Sequence, residues 1–138
     1  MPVTKEFTVF LEDRAGALGK ICQALADHGV NILALQSFLS GDKNVTRFIV
    51  DNPEAAKSAL EGKRLTLTVE DVLLLKLRNR PGEIARVASR LGLAHINIHY
   101  AYCGLESGTN SPLVFLGVSE VSRAAQILEQ DAAAAAAT

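Results

Sequence analysis

An internal repeat is the feature that most constrains what this chain can fold into. The stretch DRAGALGKICQALADHGVNI, residues 13–32, returns as NRPGEIARVASRLGLAHINI at residues 79–98, with no gap over twenty residues. The identical positions are Arg14 and Arg80, Gly16 and Gly82, Leu25 and Leu91, Asn31 and Asn97, and Ile32 and Ile98. A duplicated fold needs only its apolar pattern to be kept, yet polar residues and glycines recur here too. The sequence therefore predicts two copies of one structural unit, each with the same loop.

Apolar spacing predicts the first strand and the first helix of each copy. Phe7, Val9 and Leu11 alternate with their neighbours in a period of two, which is typical of a strand. The next apolar residues are spaced i, i+3, i+4 and i+7, which indicates a helix, and both copies have them at the same offsets. They are Leu18, Ile21, Cys22 and Leu25 in the first copy and Ile84, Val87, Ala88 and Leu91 in the second.

Two further strands and a second helix complete each copy. Strands are predicted at about residues 31–40 and 45–51, joined by a hairpin loop. Asn52 and Pro53 then start a helix, as its N-cap and its first helical residue. In the second copy, the hairpin around residues 105–112 is two residues longer. The repeated unit is therefore βαββα.

One substitution between the copies concerns the end of the first helix. Gly29 follows this helix in the first copy and is a suitable C-cap, because glycine readily adopts the left-handed backbone conformation found there. Its counterpart in the second copy is His95. The sequence therefore predicts that the helix of the second copy ends earlier, near Gly92.

The segment from Arg64 to Asn79 joins the two copies and contains neither glycine nor proline. Its apolar residues keep one strand phase, but about fifteen residues at about 3.3 Å each would span about 50 Å, too long for one small sheet. We therefore expect the last strand of the first copy to run almost directly into the first strand of the second. The second copy has no matching final strand, because its second helix is followed by DAAAAAAT.

The predicted fold class is α+β, with two tandem βαββα(β) units whose antiparallel sheets are packed by helices on one face. The predicted domains are residues 1–70 and 71–131, followed by an alanine tail at residues 132–138 that we expect to be fraying helix or disordered chain. Domains of about 65 residues have marginal cores and exposed sheet edges, so a homodimer is expected.

Composition narrows the class of protein. The formal net charge of −1 and the pI of about 6.3 provide no electrostatic footprint for nucleic acid or an anionic membrane. No apolar run approaches the roughly 20 residues of a membrane span, and the first residues lack a signal-peptide pattern. Cys22 and Cys103 are too few for a disulfide framework. We predict a reduced, cytoplasmic protein with no nucleic-acid or membrane partner.

Two βαββα(β) units with (D/N)-R-x-G after the first strand and (V/I)-N-I at the second resemble the ACT domain. This is a ferredoxin-like module through which many metabolic enzymes and regulators sense amino acids. The resemblance covers about residues 5–130 and is closest to small stand-alone proteins made of two ACT domains. It implies a non-catalytic regulatory protein that binds a small molecule, most simply an amino acid, and passes the signal to a partner enzyme or regulator.

The resemblance also implies where a ligand would bind, namely where two ACT domains meet. The contacts would come from the loop after the first strand and from the start of the second strand. Carried over by position, the loop residues are Asp13, Arg14, Ala15 and Gly16 in the first copy and Asn79, Arg80, Pro81 and Gly82 in the second, and the strand residues are Asn31, Ile32, Asn97 and Ile98. Backbone N–H groups at a helix N-terminus suit an α-carboxylate, and an Asn or Asp oxygen can accept from an α-ammonium.

Simpler roles are open for the same residues. Asp13 and Asn79 could cap the helix that follows. Asn31 and Asn97 could be turn residues that tolerate unusual backbone angles. The arginines could be solvated, and the glycines could be needed by the loop whether or not anything binds.

Other classes of function find less support in the sequence. His95 and His99 share a face of a strand, but about 13 Å separates residues four apart on a strand, so we expect no metal site. For Tyr100 and Tyr102, packing at a domain interface is favoured over stacking on a ligand. No P-loop, nucleophile elbow or catalytic triad is present, and we expect no cofactor. An enzyme with a cleft active site, an RNA-recognition module and a purely structural ACT module are the alternatives.

Overall fold

The computed structural model describes residues 2–106, 108–109 and 111–137. For residues 105 and 132–137 it describes the backbone but not the side chains. Within these residues the chain forms six strands and four helices. In chain order they are β1 (Val3–Glu12), α1 (Ala17–Asp27), β2 (Ile32–Ser40), β3 (Lys43–Val50), α2 (Pro53–Leu60), β4 (Thr66–Lys76), α3 (Glu83–Leu93), β5 (Ile98–Leu105), β6 (Pro112–Val118) and α4 (Val121–Ala137). The predicted α+β architecture and its repeated βαββα order are confirmed.

The chain separates into two compact units. The first unit consists of Lys5–Glu70, and the second consists of residues 2–4 together with the chain from Asp71 onward. Both boundaries fall inside strands, because β1 crosses from one unit to the other at Lys5 and β4 does so at Asp71. The first residues of the chain therefore group with the second copy of the repeat.

The first unit has the strand order β2-β3-β1-β4, with β3 antiparallel to both β1 and β2. Phe7 on β1 lies opposite Phe48 on β3, and their rings stack with centroids 5.4 Å apart. The same sheet face carries Val9 and Leu11, and α1 and α2 cover it. The core consists of Phe7, Val9, Leu11, Ile21, Leu25, Val30, Phe48, Val50, Ala56, Ala59 and Leu60.

The second unit has the strand order β1-β4-β6-β5, in which residues 2–4 of β1 occupy the place beside β4. The backbone N–H of Leu74 donates to the carbonyl of Pro2 at 3.0 Å, and Val3 packs against the core of this unit. The sequence left this sheet without a final strand, and the start of the chain supplies it. The core consists of Leu73, Leu75, Leu77, Val87, Leu91, Ile96, Val114, Leu116, Val118, Ala124, Ala125 and Leu128.

Strand β4 is a single uninterrupted strand of 11 residues. The sequence predicted two strands joined almost directly, and the structure shows no break between them. Neither glycine nor proline interrupts the segment, so its backbone donors remain available and its extended conformation carries no local penalty. One strand therefore contributes its first part to the first unit and its second part to the second.

The end of α3 differs from the one predicted from the sequence. Helix α3 ends at Leu93, one residue after Gly92 but at the position equivalent to the end of α1, so the prediction that it ends earlier than α1 is wrong. His95 adopts the left-handed conformation, with φ of 58° where Gly29 has 70°. In both helices the next N–H bonds back to the leucine of the last turn, at 3.0 Å for Val30 to Leu25 and for Ile96 to Leu91. The same helix cap therefore forms on both sequences, with a glycine in one and a histidine in the other.

The second helix of the first unit begins as predicted. Asn52 is the N-cap of α2, its side chain accepts from the Ala55 N–H at 3.1 Å, and Pro53 is the first helical residue. Helix α4 extends through Ala137, into the alanine tail. The predicted longer hairpin includes residues 107 and 110, which lie outside the described residues. Among the described residues no helix is long and apolar enough to cross a membrane.

Candidate functional site

The two repeated loops are close structural copies. The N–H of Arg14 donates to the carbonyl of Glu12, and the N–H of Arg80 donates to that of Arg78, both at 2.9 Å. At the helix start, the Lys20 N–H donates to the carbonyl of Gly16 at 3.0 Å, and the Arg86 N–H donates to the carbonyl of Gly82 at 2.9 Å. The sequence repeat is therefore matched by a repeat of the backbone hydrogen bonds, and both loops lie at the surface.

The backbone conformation that the two loops share accounts for their glycines. Gly16 and Gly82 are the N-caps of α1 and α3, with φ of 86° and 89°. A Cβ at either position would meet no atom within 4 Å, so the requirement is for left-handed φ rather than for space. The interpretation that the loop needs these glycines with or without a ligand is supported by this geometry.

The structure does not support helix capping as the role of Asp13 and Asn79. Gly16 and Gly82 hold the N-cap positions, and neither helix start has a side-chain cap hydrogen bond. Both Asp13 and Asn79 are exposed, and the described part of the chain offers them no side-chain hydrogen bond. Their side chains remain available for an external partner.

The strand-entry residues Asn31 and Asn97 also occupy equivalent positions. The Asn31 N–H donates to the Asp51 carboxylate at 3.0 Å, and the Asp51 N–H donates back to the Asn31 carbonyl at 3.1 Å. Asn97 exchanges the same pair of bonds with Ser119, at 3.1 and 3.0 Å. These bonds use the backbone of each asparagine and leave its amide exposed. Neither residue has a positive φ, so the turn interpretation of these asparagines is wrong.

Within one unit, however, the loop and the strand entry lie at opposite ends of the sheet. In the first unit, the end of β1 is in register with Lys43, while Ile32 at the start of β2 is in register with Val50. Seven residues of β3 separate these levels, which corresponds to about 23 Å. In the second unit, Leu113 and Val118 mark the two levels, about 17 Å apart. A ligand that contacts Asn79 therefore does not reach Asn97 of the same unit.

The loop of the second unit borders a cavity. This cavity has a volume of about 240 Å³, and among its lining residues are Asn79, Arg80, Gly82, Ile84 and Pro112. A smaller apolar cavity of about 120 Å³ shares the side chains of Leu77 and Ile84 with it and extends to Ile98 and Ala101. We call the two together the loop pocket. Of the second-copy residues predicted to bind ligand, Asn79, Arg80 and Gly82 line the larger cavity and Ile98 lines the smaller one, whereas Pro81 and Asn97 line neither.

Glu83 is a residue of this site that the sequence did not reveal. Its carboxylate oxygen Oε2 lies 3.4 Å from Nε of Arg80 and 3.6 Å from Nε of Arg86, and its side chain is largely buried. Burial on its own would raise the pKa of Glu83, but the hydrogen bond from Arg86 and the charge of Arg80 outweigh it and hold the pKa below its ordinary value of 4.5. Arg80 is therefore paired with Glu83 rather than simply solvated. The sequence feature that could have identified Glu83 is the difference between the copies, because its counterpart in the first copy is the apolar Ala17.

The first loop has a different setting. The neighbouring cavity, of about 340 Å³, is lined by Arg14 and Ala17 but not by Asp13, Ala15 or Gly16. Asp13 has a carboxylate where the second loop has an amide, and Ala15 stands where Pro81 stiffens the chain. The two loops share a backbone but present different side chains to different cavities.

The histidines and tyrosines of the second unit lie around β5. The described residues contain no group of three or more His, Cys, Asp or Glu side chains able to hold a metal ion. Tyr100 and Tyr102 stack with ring centroids 6.5 Å apart, and Tyr102 stacks on the buried Phe115 at 5.3 Å. These contacts lie within the sheet of the second unit, so the predicted packing of the tyrosines at a domain interface stays a prediction. Both cysteines, Cys22 and Cys103, are free.

Comparison with known proteins supports the fold assignment. The family model of the ACT domain matches residues 6–61. A solved protein from Bacteroides thetaiotaomicron is 27% identical with a TM-score of 0.85, over 94% of this chain and 89% of that chain. The ligand-free regulatory subunit of aspartate kinase from Thermus thermophilus is 15% identical with a TM-score of 0.66, over 93% of both chains. The same subunit from Thermus flavus is 16% identical with a TM-score of 0.59, over 94% of this chain and 96% of that one.

A search of the curated proteins finds no match. The family match lies within the first unit, and the second unit repeats the element order, the loop hydrogen bonds and the helix caps of the first. The first unit therefore matches the ACT domain family, and the chain consists of two ferredoxin-like units in tandem.

Proposed function

We propose that this protein is a non-catalytic regulatory protein that binds an amino acid in the loop pocket of its second unit. The observation that carries the proposal is the difference in lining between the two adjoining cavities of that pocket. The larger cavity is lined by Asn79, Arg80 and the backbone at Gly82, and the smaller cavity is lined by apolar residues that include Ile84 and Ile98. An amino acid has the same division between its charged α-groups and its side chain.

The larger cavity matches the chemistry of the α-groups. The first turn of α3 presents backbone N–H groups that can donate to a carboxylate, and glycine at the N-cap lets a ligand approach them closely. The Asn79 amide has an oxygen that can accept from an ammonium group. The apolar lining of Leu77, Ile84 and Ala88 favours an aliphatic side chain.

Asn31 and Asn97 take part, in this proposal, through a second copy of the chain. Their amides are exposed, yet they lie at the end of each sheet opposite to the loop. In a homodimer, the strand entry of one copy can complete a ligand site that begins at the loop of its partner. The proposal thus keeps both parts of the predicted site and assigns them to different molecules.

The edge strand β2 supports assembly into a homodimer. Its nine residues, ILALQSFLS, include no charged residue and no proline. Exposed strands usually carry such residues, because they discourage pairing with another chain. Leu33, Leu35, Phe38 and Leu39 are all at least 38% exposed. We expect light scattering to report a dimer at tens of micromolar, and Leu35→Lys to shift it toward the monomer. A wild-type monomer at that concentration would contradict this part of the proposal.

A thermal-shift screen against the twenty amino acids tests the ligand class. A ligand at 100 times its dissociation constant adds about 2.7 kcal/mol to the free energy of unfolding. A saturable calorimetric signal without turnover would support the sensor, and turnover by the isolated protein would support the enzyme alternative. The absence of any shift would favour a purely structural ACT module.

The regulatory role and the cellular location belong to the same proposal. The similar structures include regulatory subunits of aspartate kinase, which agrees with a role for this chain in regulating a partner enzyme. The signal would pass through the oligomeric state or a partner surface. Two free cysteines agree with a reduced, cytoplasmic environment.

A further inference from the structure

A second cavity, in the first unit, is lined by cationic side chains. It has a volume of about 340 Å³ and lies between the end of β1, the start of α1 and the segment that leads into β4. Its cationic lining residues are Arg14, Lys20, Lys43, Lys63 and Arg64, and Glu12 is the one acid among its lining residues. We call it the basic cavity. The net charge of −1 for the whole chain conceals this local excess of positive charge.

Most of these cations have no counter-charge in the described part of the chain. Arg14 pairs with Glu12, with Nε and Oε2 3.4 Å apart, and both side chains are well exposed. Lys20, Lys43, Lys63 and Arg64 form no ion pair with any described residue. Four like charges around one concave surface repel one another and raise the local positive potential. An anion that enters the cavity would relieve this repulsion.

The second unit shows how the same position is neutralised. There Arg80 and Arg86, the counterparts of Arg14 and Lys20, both pair with Glu83. The counterpart of Glu83 is Ala17, which lines the basic cavity, and the first turn of α1 contains no acidic residue. The two copies share their cations at this position but differ in the acid that balances them. The first copy thus leaves room for an external anion where the second has its own carboxylate.

We propose that the basic cavity binds a small organic phosphate. Lysine and arginine side chains recognise phosphate oxygens through charge-assisted hydrogen bonds. Phe10, Leu11, Ile21 and Leu65 add an apolar surface that inorganic phosphate alone would not contact. The volume lies in the range of ligand pockets, about 300–1,000 Å³. This site is distinct from the loop pocket and does not depend on the proposed amino-acid function.

Titration calorimetry on the full chain at low ionic strength tests the proposal, with inorganic pyrophosphate and adenosine diphosphate as probes. We expect both probes to bind. Adenosine diphosphate should bind more tightly than pyrophosphate, because it also contacts the apolar surface. Lys63→Gln should weaken binding about 2- to 5-fold, the loss expected for one solvent-exposed ion pair. Ala17→Glu should weaken it at least about 10-fold, because it supplies to Arg14 and Lys20 the carboxylate that the second copy has.

Lys57→Gln is the matched control, because Lys57 is an exposed cation of the same unit that does not line the cavity. It should leave the dissociation constant unchanged, and circular dichroism should show all variants folded. The proposal is overturned if neither probe binds the wild type, or if Lys57→Gln weakens binding as much as Lys63→Gln. It is also overturned if a single-stranded RNA competes both probes off at lower concentration, which would make the surface a nucleic-acid site.

Discussion

His95 holds the left-handed backbone conformation that Gly29 holds at the equivalent position of the first unit, with φ of 58° and 70°. A residue with a Cβ pays about 1–2 kcal/mol for this conformation, partly offset by the larger unfolded-state entropy of glycine. We therefore expect His95→Gly to raise the free energy of unfolding by about 1 kcal/mol, measured by urea denaturation. Gly29→Ala should lower it by a similar amount. If His95→Gly destabilises the protein, an interaction of the imidazole must outweigh the backbone strain.

Tyr100 packs its ring over Gly117, its partner in the β5–β6 register, and leaves no room for a side chain there. Gly117→Ala should therefore cost about 1–3 kcal/mol of unfolding free energy, as for other overpacked sites. In a Tyr100→Ala background the same substitution should cost much less, which a double-mutant cycle would measure. Gly92→Ala is the control, because Gly92 lies in α3 with open space around it and should stabilise the helix by about 0.5–1 kcal/mol.

The pKa of Glu83 lies below its ordinary value of 4.5, so its ion pairs with Arg80 and Arg86 contribute stability that depends on pH. For a carboxyl group with a lowered folded-state pKa, that contribution is fully present above pH 4.5 and is lost as the pH falls through the folded-state pKa. We expect Glu83→Gln to be less stable than wild type at pH 7 and to approach it below pH 4. Urea denaturation at several pH values would measure this. A difference that stays constant over that range would assign the loss to packing alone.

Asn97→Ala should weaken amino-acid binding, because the proposed bond from its amide to a charged α-group is worth roughly 1.5–3 kcal/mol. That corresponds to about a 10- to 150-fold rise in the dissociation constant. Asn31→Ala is the matched control in the first unit and should have a smaller effect. The backbone bonds of Asn97 to Ser119 are kept in the variant, so stability should change little. Calorimetry with the ligand found by the screen provides the measurement, and wild-type affinity for Asn97→Ala would remove Asn97 from the site.

The second loop should bind more tightly than the first, because it combines the Asn79 amide with the stiffened backbone at Pro81. Asn79→Ala should weaken binding about 10-fold or more, and Asp13→Ala should do less. Pro81→Ala should weaken binding about two- to fivefold. Alanine leaves the free loop more flexible, so ordering the loop on binding costs about 0.4–1 kcal/mol more. Gly82 is unsuitable for such a test, because a side chain at φ 89° would strain the loop whatever binds there. Equal effects of Asn79→Ala and Asp13→Ala would contradict the preference.

Local chemistry determined much of this protein from the sequence alone. Period-two and period-3.6 apolar patterns identified the strands and helices, since each element must bury one face. Asn52 and Pro53 specified the start of α2 through bonds within the first turn. The 66-residue spacing between the loops predicted two copies of one unit, and the loop glycines recur because both backbones need positive φ.

Contacts between residues distant in sequence were decided only by the tertiary structure. Residues 2–4 complete the sheet of the second unit, which no local pattern could indicate, because strand pairing depends on which edge is open in three dimensions. His95 adopts the left-handed conformation that residues with a Cβ rarely take, and the sequence did not predict it. The register of the strands places Asn97 far from the Asn79 loop, although the two lie close in sequence and recur together. Sequence predicted which residues could bind, and the pairing of the strands decided which of them can share a ligand within one unit.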